Sequence, residues 1–319
     1  MTTSTSTDTH TDTDSGTGAD TGTATRAGYL LTAEQVEQFD RDGFLVLRNR
    51  IAPDLLDRLR AAAQEWVAEG HRRPAETRGD WLFANRPSGR VMYRVDYIHA
   101  KGQPASLELL GSPAVLGIAE SLAGRNFVPT YESMVFKSAG DGAPIPWHQD
   151  AVHGRTHRLF NVDVYLDASV RGQGALYVVP GSQRQRTDAC AIAEEHGWDL
   201  PGAVEVEMAP GDVLVHDDMI VHGSPPAVGN ALRRTIYFEF RAAEHIQQEG
   251  PGTTEWTDAR LRLIPAALAE HARHAAPRDR FDWRIDPALR PAPAADTAAE
   301  LRIAHEVHTP GEWCSDGTS

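Results

Sequence analysis

The sequence predicts a mainly β fold with flanking α, an antiparallel sandwich or barrel with helices packed on one outer face. Three observations point there. Helical periodicities fill the stretch before residue 127, and short strand-like runs separated by Gly and Pro follow to about residue 242. In the last of these runs Arg233, Thr235, Tyr237 and Glu239 alternate with Arg234, Ile236, Phe238 and Phe240, so one face is polar and the other apolar. At 319 residues the chain can bury a sizeable core. We read residues 1–28 as a tail and 29–319 as a single domain, with the β core at about 127–242 and a helical or irregular extension over 243–319.

Residues 1–28 are almost entirely Thr, Asp, Ser, Gly and Ala and cannot offset the entropy of ordering, so a disordered tail is expected. Thr32 and Gln35 form a capping box that opens a short helix, Gly43 stops it, and Phe44 to Leu47 reads as a strand. Pro53 sits in the first turn of a longer helix whose Leu55, Leu56, Leu59, Ala62, Ala63 and Trp66 share one face ahead of Gly70. A third helix covers about Pro113 to Leu122 before Gly124. Strand-like runs then follow: "FVPTYESMVFK", "LFNVDVYLDA", "ALYVVPGS", "VEVEMAPGDVLVHDD" and "RRTIYFEFRA". Beyond them "LRLIPAALAEHARHAA" is the best helix candidate, and no internal repeat is visible.

The charge balance, 31 basic against 45 acidic residues for a net −14, disfavours nucleic acid and anionic membranes as partners. Cys190 and Cys314 stand far apart without a CxxC, which indicates neither a disulfide framework nor a thiolate zinc site, and a reducing cytoplasm fits. Cys190 reads as an incidental loop residue. There is no apolar run near membrane-spanning length and no export signal, so a cytoplasmic protein is expected.

The chemistry concentrates in "PIPWHQDAVHG". His148 and Asp150 are two apart, so in an extended segment both reach one ion. His222 in "HDDMIVHGSPP" is the candidate third ligand, and His216 in the same stretch reads more readily as a strand-end residue. Two imidazoles and a carboxylate on one face of a metal leave three positions open, the set used by non-haem Fe(II) oxygenases. Arg233, at the start of a strand, is a natural fork for a carboxylate, with Arg234 as the competitor one register away. Arg86, Arg90 and Arg94 are either an anion-binding rim or partners of surface acids. His153 and His157 are extra imidazoles near the site.

On these residues the chain resembles the phytanoyl-CoA dioxygenase family of Fe(II)/2-oxoglutarate oxygenases. The resemblance spans about residues 30–242 through "EQFDRDGFLVL", "WHQD", "GALYVVPGSQ", "PGDVLVHDDMIVHGS" and the following Arg233. It implies a double-stranded β-helix, the cupin-type jelly roll, with Fe(II) held by His148, Asp150 and His222. It further implies that Arg233 pairs with the distal carboxylate of the cosubstrate 2-oxoglutarate, with Ser224 adding a hydroxyl and Lys137 and Tyr131 lining the cosubstrate side. The expected function is a dioxygenase that consumes dioxygen and 2-oxoglutarate and hydroxylates or otherwise oxidises a small-molecule intermediate of a specialised biosynthetic pathway. One departure stands out: where relatives often carry a tryptophan, this chain has "NVDVYLD". If Asn161, Asp163 and Tyr165 face inward, with His153 and Arg94 near, the pocket is more polar than an acyl-CoA 2-hydroxylase needs. The same fold could also serve as a non-catalytic jelly-roll binding module, or as a metal-dependent cupin hydrolase or isomerase that needs no cosubstrate arginine.

Overall fold

The computed structural model describes residue 1 and residues 28–73, 79–86, 89–137, 144–152, 155–227, 232–250, 252–292 and 312–313. The expected tail, apart from its two ends, and His153 lie outside these residues. Helix α1 (Ala33–Asp42) starts on the predicted capping box, Thr32 with Gln35, and closes at Gly43, whose backbone N–H bonds Phe39. It leads into β1 (Phe44–Leu47). Helix α2 (Pro53–Arg72) buries the predicted face. It runs past Gly70, which is no stop but a close approach. A Cβ there would lie 2.3 Å from the Trp81 ring and 2.4 Å from the Met92 sulfur.

Those two side chains belong to β2 (Trp81–Arg86) and β3 (Gly89–Asp96), a hairpin the sequence did not announce. Its Asn and Arg positions break the apolar alternation that marks a strand. Two short helices, α3 (Ala105–Leu110) and α5 (Ala189–His196), were likewise unexpected, whereas α4 (Pro113–Ala123) matches. Cys190 lies in α5, not in a loop, and it is disulfide-bonded. That overturns the expectation that its thiol is incidental. Pairing depends on proximity in space, which two widely separated cysteines do not reveal.

Strands β4 (Phe127–Lys137) and β11 (Arg233–Ala242) form the longest ladder, antiparallel, pairing Arg233 with Lys137, Tyr237 with Ser133 and Glu239 with Tyr131. With β6 (Phe160–Tyr165) and β9 (Val213–Asp217) they build a seven-stranded sheet in the order β1-β9-β6-β11-β4-β3-β2. Facing it are β5 (Ile145–Gln149), β7 (Leu176–Val178), β8 (Val204–Val206), β10 (His222–Ser224) and β12 (Glu312–Trp313), a five-stranded sheet in the order β12-β5-β10-β7-β8. This is the expected jelly roll.

Period-2 alternation splits the core in two. Outward residues of the large sheet, among them Val162, Ile236, Phe238 and Phe240, join the helices in the main hydrophobic cluster. That cluster includes Ile246 of α6 (Ala243–Glu249), Trp256 of α7 (Thr254–Leu261) and Ile264 of α8 (Leu263–His271). These helices thus cover the outer face of the large sheet, while α5 packs through Ala189 and Ile192 on Trp147, on the outer side of the small sheet. A smaller cluster joins the two sheets through Tyr165, Leu176, Val178, Leu214 and Ile220. Most of the remaining inward positions are polar, and they build the site.

Candidate metal centre and carboxylate pocket

His148, near the end of β5, and His222, at the start of β10, are direct cross-strand partners, and their ring centroids lie 4.0 Å apart. Each Nδ1–H donates to the backbone carbonyl two residues upstream, His148 to Pro146 at 2.7 Å and His222 to Ile220 at 2.9 Å. This fixes the tautomer so that both Nε2 lone pairs face inward, as metal-ligating imidazoles require. Asp150 reaches the same point from just beyond β5. One of its oxygens is 3.6 Å from His148 Nε2, and the other is 3.8 Å from His222 Nε2.

Ligand atoms of His148, Asp150 and His222 all lie within 4.8 Å of one another. Burial, then neighbouring positive charge, pushes the His222 imidazole down to about 3, and burial lowers His148 as well. Burial would raise Asp150, but the imidazoles around it, His216 first and then His222 and His148, outweigh burial and hold the carboxylate below its ordinary range. Two neutral imidazoles and one anionic oxygen result. That donor set suits a divalent transition metal.

A second polar cluster lies two residues further along β10. Ser224 Oγ accepts from Lys137 Nζ at 2.7 Å and donates to the Gly174 carbonyl at 2.7 Å. Arg233 also donates to that carbonyl and lies 3.3 Å from Ser224 Oγ. Gly174 was not singled out from the sequence. It adopts φ +86°, and a Cβ there would meet the Ala227 backbone at 2.9 Å, so a glycine is needed to aim this carbonyl. Lys137, Gly174, Arg233, Ser169 and Gln173 line a small cavity that holds two cations and no carboxylate. Arg234, by contrast, points outward and forms a two-pronged pair with Asp167 at 2.8 Å on each arm.

The other expected residues are spread along the inner wall. Tyr131 stands six residues from Lys137 on β4, about 20 Å along an extended strand, and its hydroxyl bonds Arg94. Arg94 also pairs with Asp96 at 2.7 Å, while Arg90 lies over the Phe83 ring, so these two arginines do not converge. Asn161 donates to Asp218 at 3.0 Å. Tyr165 packs in the inter-sheet cluster. Asp163, expected on the pocket surface, is fully buried and bonded to His216 at 2.8 Å. His157 turns away to stack on His245, with ring centroids 5.5 Å apart. Asp218, Glu239 and Arg241, all buried on this wall, were not expected as site residues from the sequence. The alternation on β11 was the signal for Glu239.

A family model described as phytanoyl-CoA dioxygenase matches residues 39–235. The methylphosphonate hydroxylase of Gimesia maris is 26% identical over 218 residues, 66% of this chain and 81% of that protein. The ectoine dioxygenase of Sphingopyxis alaskensis is 23% identical over 273 residues, 75% of this chain and 85% of that one. Among solved structures, AviO1 from Streptomyces viridochromogenes Tue57 superposes with a TM-score of 0.58 at 28% identity, covering 70% of this chain and 99% of AviO1.

Proposed function

The chain belongs to the phytanoyl-CoA dioxygenase family, and from that membership we propose that it is an Fe(II)/2-oxoglutarate-dependent dioxygenase oxidising a small polar molecule in a specialised biosynthetic pathway. The observation that carries this reading is the spacing on β10. His222 of the three-residue donor set and Ser224 of the cationic cavity lie on one face of one strand, about 7 Å apart. A five-carbon dicarboxylate spans such a gap, with its keto-acid end toward the metal and its distal carboxylate in the cavity.

In this reading His148, Asp150 and His222 would hold Fe(II). The iron would supply the redox chemistry that couples oxidation of the substrate by dioxygen to decarboxylation of 2-oxoglutarate to succinate. The protein's own residues do the rest. Arg233 offers the distal carboxylate a planar fork, and Lys137, held by Ser224 and the Pro225 carbonyl at 2.8 Å, adds a second charge. The inter-sheet apolar cluster borders the site and limits water. Arg94 and Tyr131 with the Asn161–Asp218 pair present hydrogen-bonding groups, which supports a polar substrate over a fatty acyl chain. The relatives named for methylphosphonate and ectoine act on small polar compounds of the same general kind.

The test is a substrate screen that reads succinate. Succinate formation should require Fe(II), 2-oxoglutarate and dioxygen together, stop on chelation, and return with Fe(II) and ascorbate. Product formed without 2-oxoglutarate, or undiminished in His222→Ala, contradicts the proposal.

A further inference from the structure

His216 closes the inward row of β9 and faces Asp150 from the large sheet, opposite the strands that carry His148 and His222. Its Nδ1 lies 2.8 Å from Asp163 Oδ2, and its Nε2 lies 3.5 Å from Asp150 Oδ2. Both side chains of the first pair are at most 2% exposed. Among the described residues Nε2 has no hydrogen-bond partner at normal distance, and neither does the second oxygen of Asp163. A buried imidazole nitrogen without a partner costs free energy, so its position calls for a use. The other neighbours of the ring are the His222 imidazole at 4.9 Å and the edge of Tyr237 at 6.5 Å, and neither closes this gap. His216 stands outside the set of ligand atoms that lie within 4.8 Å of one another, so its geometry addresses the carboxylate and not the ion.

We propose that Asp163 and His216 form a positioning pair for Asp150, in which Asp163 orients the imidazole and Nε2–H holds one Asp150 oxygen so that the other is presented to the metal. The proposal rests on reading Asp150 as a metal ligand. It does not depend on which of the two residues keeps the proton between them. The register joins the three residues: β6 and β9 pair Asn161 with His216 and Asp163 with Leu214, which sets Asp163 diagonally beneath the ring. Asp163 thereby acts at the metal through His216 and not by touching substrate. Carboxylate partners of this kind shape metal affinity, and losing one typically weakens it about 10- to 100-fold.

The experiment is an anaerobic Co(II) titration of the full-length chain, read by the visible absorption of the bound ion, with far-UV circular dichroism and a melting curve for every variant. His216→Leu keeps bulk without a donor, His216→Gln restores an N–H near the Nε2 position, and Asp163→Leu removes the orienting carboxylate. His216→Leu is expected to raise the Kd for Co(II) about 10- to 100-fold, with His216→Gln recovering most of the loss. Asp163→Leu should behave like His216→Leu, and the double variant should lose little more than either alone. Wild-type affinity in His216→Leu, a Gln variant no better than Leu, or additive losses in the double variant overturns the proposal. If His216→Leu does not fold, the Gln and Asp163→Leu variants decide: near-wild-type and weakened binding, respectively, support the pair, and two wild-type affinities overturn it. His222→Ala, run in parallel, must lose binding. If it binds Co(II) like the wild type, the failure lies with the metal assignment and not with the pair.

Discussion

Arg233 and Arg234 are neighbours in sequence and share no partner. Strand alternation sends Arg233 to the Gly174 carbonyl and Ser224, and Arg234 to Asp167 beneath α2. Replacing Arg233 by Ala should raise the KM for 2-oxoglutarate by the loss of a desolvated charge pair, about 2–5 kcal/mol or at least 30-fold. Arg234→Ala should leave that KM within about twofold and lower the melting temperature instead, since it leaves Asp167 unpaired. Steady-state kinetics and a melting curve on the two variants separate these effects. The polar face of this strand was legible from period-2 alternation alone. What was not legible is who meets whom across strands. Asp163 and His216 are 53 residues apart, and only the β6–β9 register joins them. The candidate metal ligands are more legible, because His148 and Asp150 lie within one turn of chain and His222 sits in a dense local motif.

Strand β4 has a second polar centre on its outward face. Glu132 is fully buried and bonds both His99 and Arg260 of α7, whose Nε also donates to the Pro129 carbonyl at 2.6 Å. Burial would raise this carboxyl. The Arg260 and His99 charges outweigh burial and push it down from 4.5 to about 2. The sign follows from linkage: the folded value lies below the unfolded one, so the pairing is fully present above about pH 4.5 and is lost as the pH falls toward 2. Glu132→Gln should therefore destabilise the protein by about 3 kcal/mol at pH 7 and flatten the acid limb of stability. Urea midpoints measured between pH 7 and pH 3 check both. The bounds of β4 and β11 coincide with "FVPTYESMVFK" and "RRTIYFEFRA", because long β-branched and aromatic runs override local ambiguity. The β2–β3 hairpin escaped notice because cation–π packing of Arg73 and Lys101 on Trp81, and of Arg90 on Phe83, replaces the apolar alternation that a strand reading depends on.

The two sheets and the helices divide the labour. Helices seal the outer face of the large sheet, and the space between the sheets holds first an apolar layer and then the polar site. Among the described residues no helix is long and apolar enough to cross a membrane. Among the described residues, contacts at the amino-terminal end begin with the Tyr29 ring on Phe281, at 5.4 Å, and the Leu31 amide on Ser121, at 2.9 Å. Removing residues 1–27 should accordingly leave metal content, melting temperature and turnover unchanged, while removal through Leu31 should lower the melting temperature, as metal analysis and thermal melts would show. The central claim is that one donor set and one cationic cavity hold Fe(II) and 2-oxoglutarate together. Anaerobic titration of 2-oxoglutarate into the Fe(II)-loaded protein, followed by the visible absorption of the chelate, tests it without a known substrate. The account predicts a band that saturates at one equivalent, is absent in His222→Ala, and needs at least 30-fold more 2-oxoglutarate in Arg233→Ala but not in Arg234→Ala. No band in the wild type, or a larger loss in Arg234→Ala than in Arg233→Ala, would contradict it.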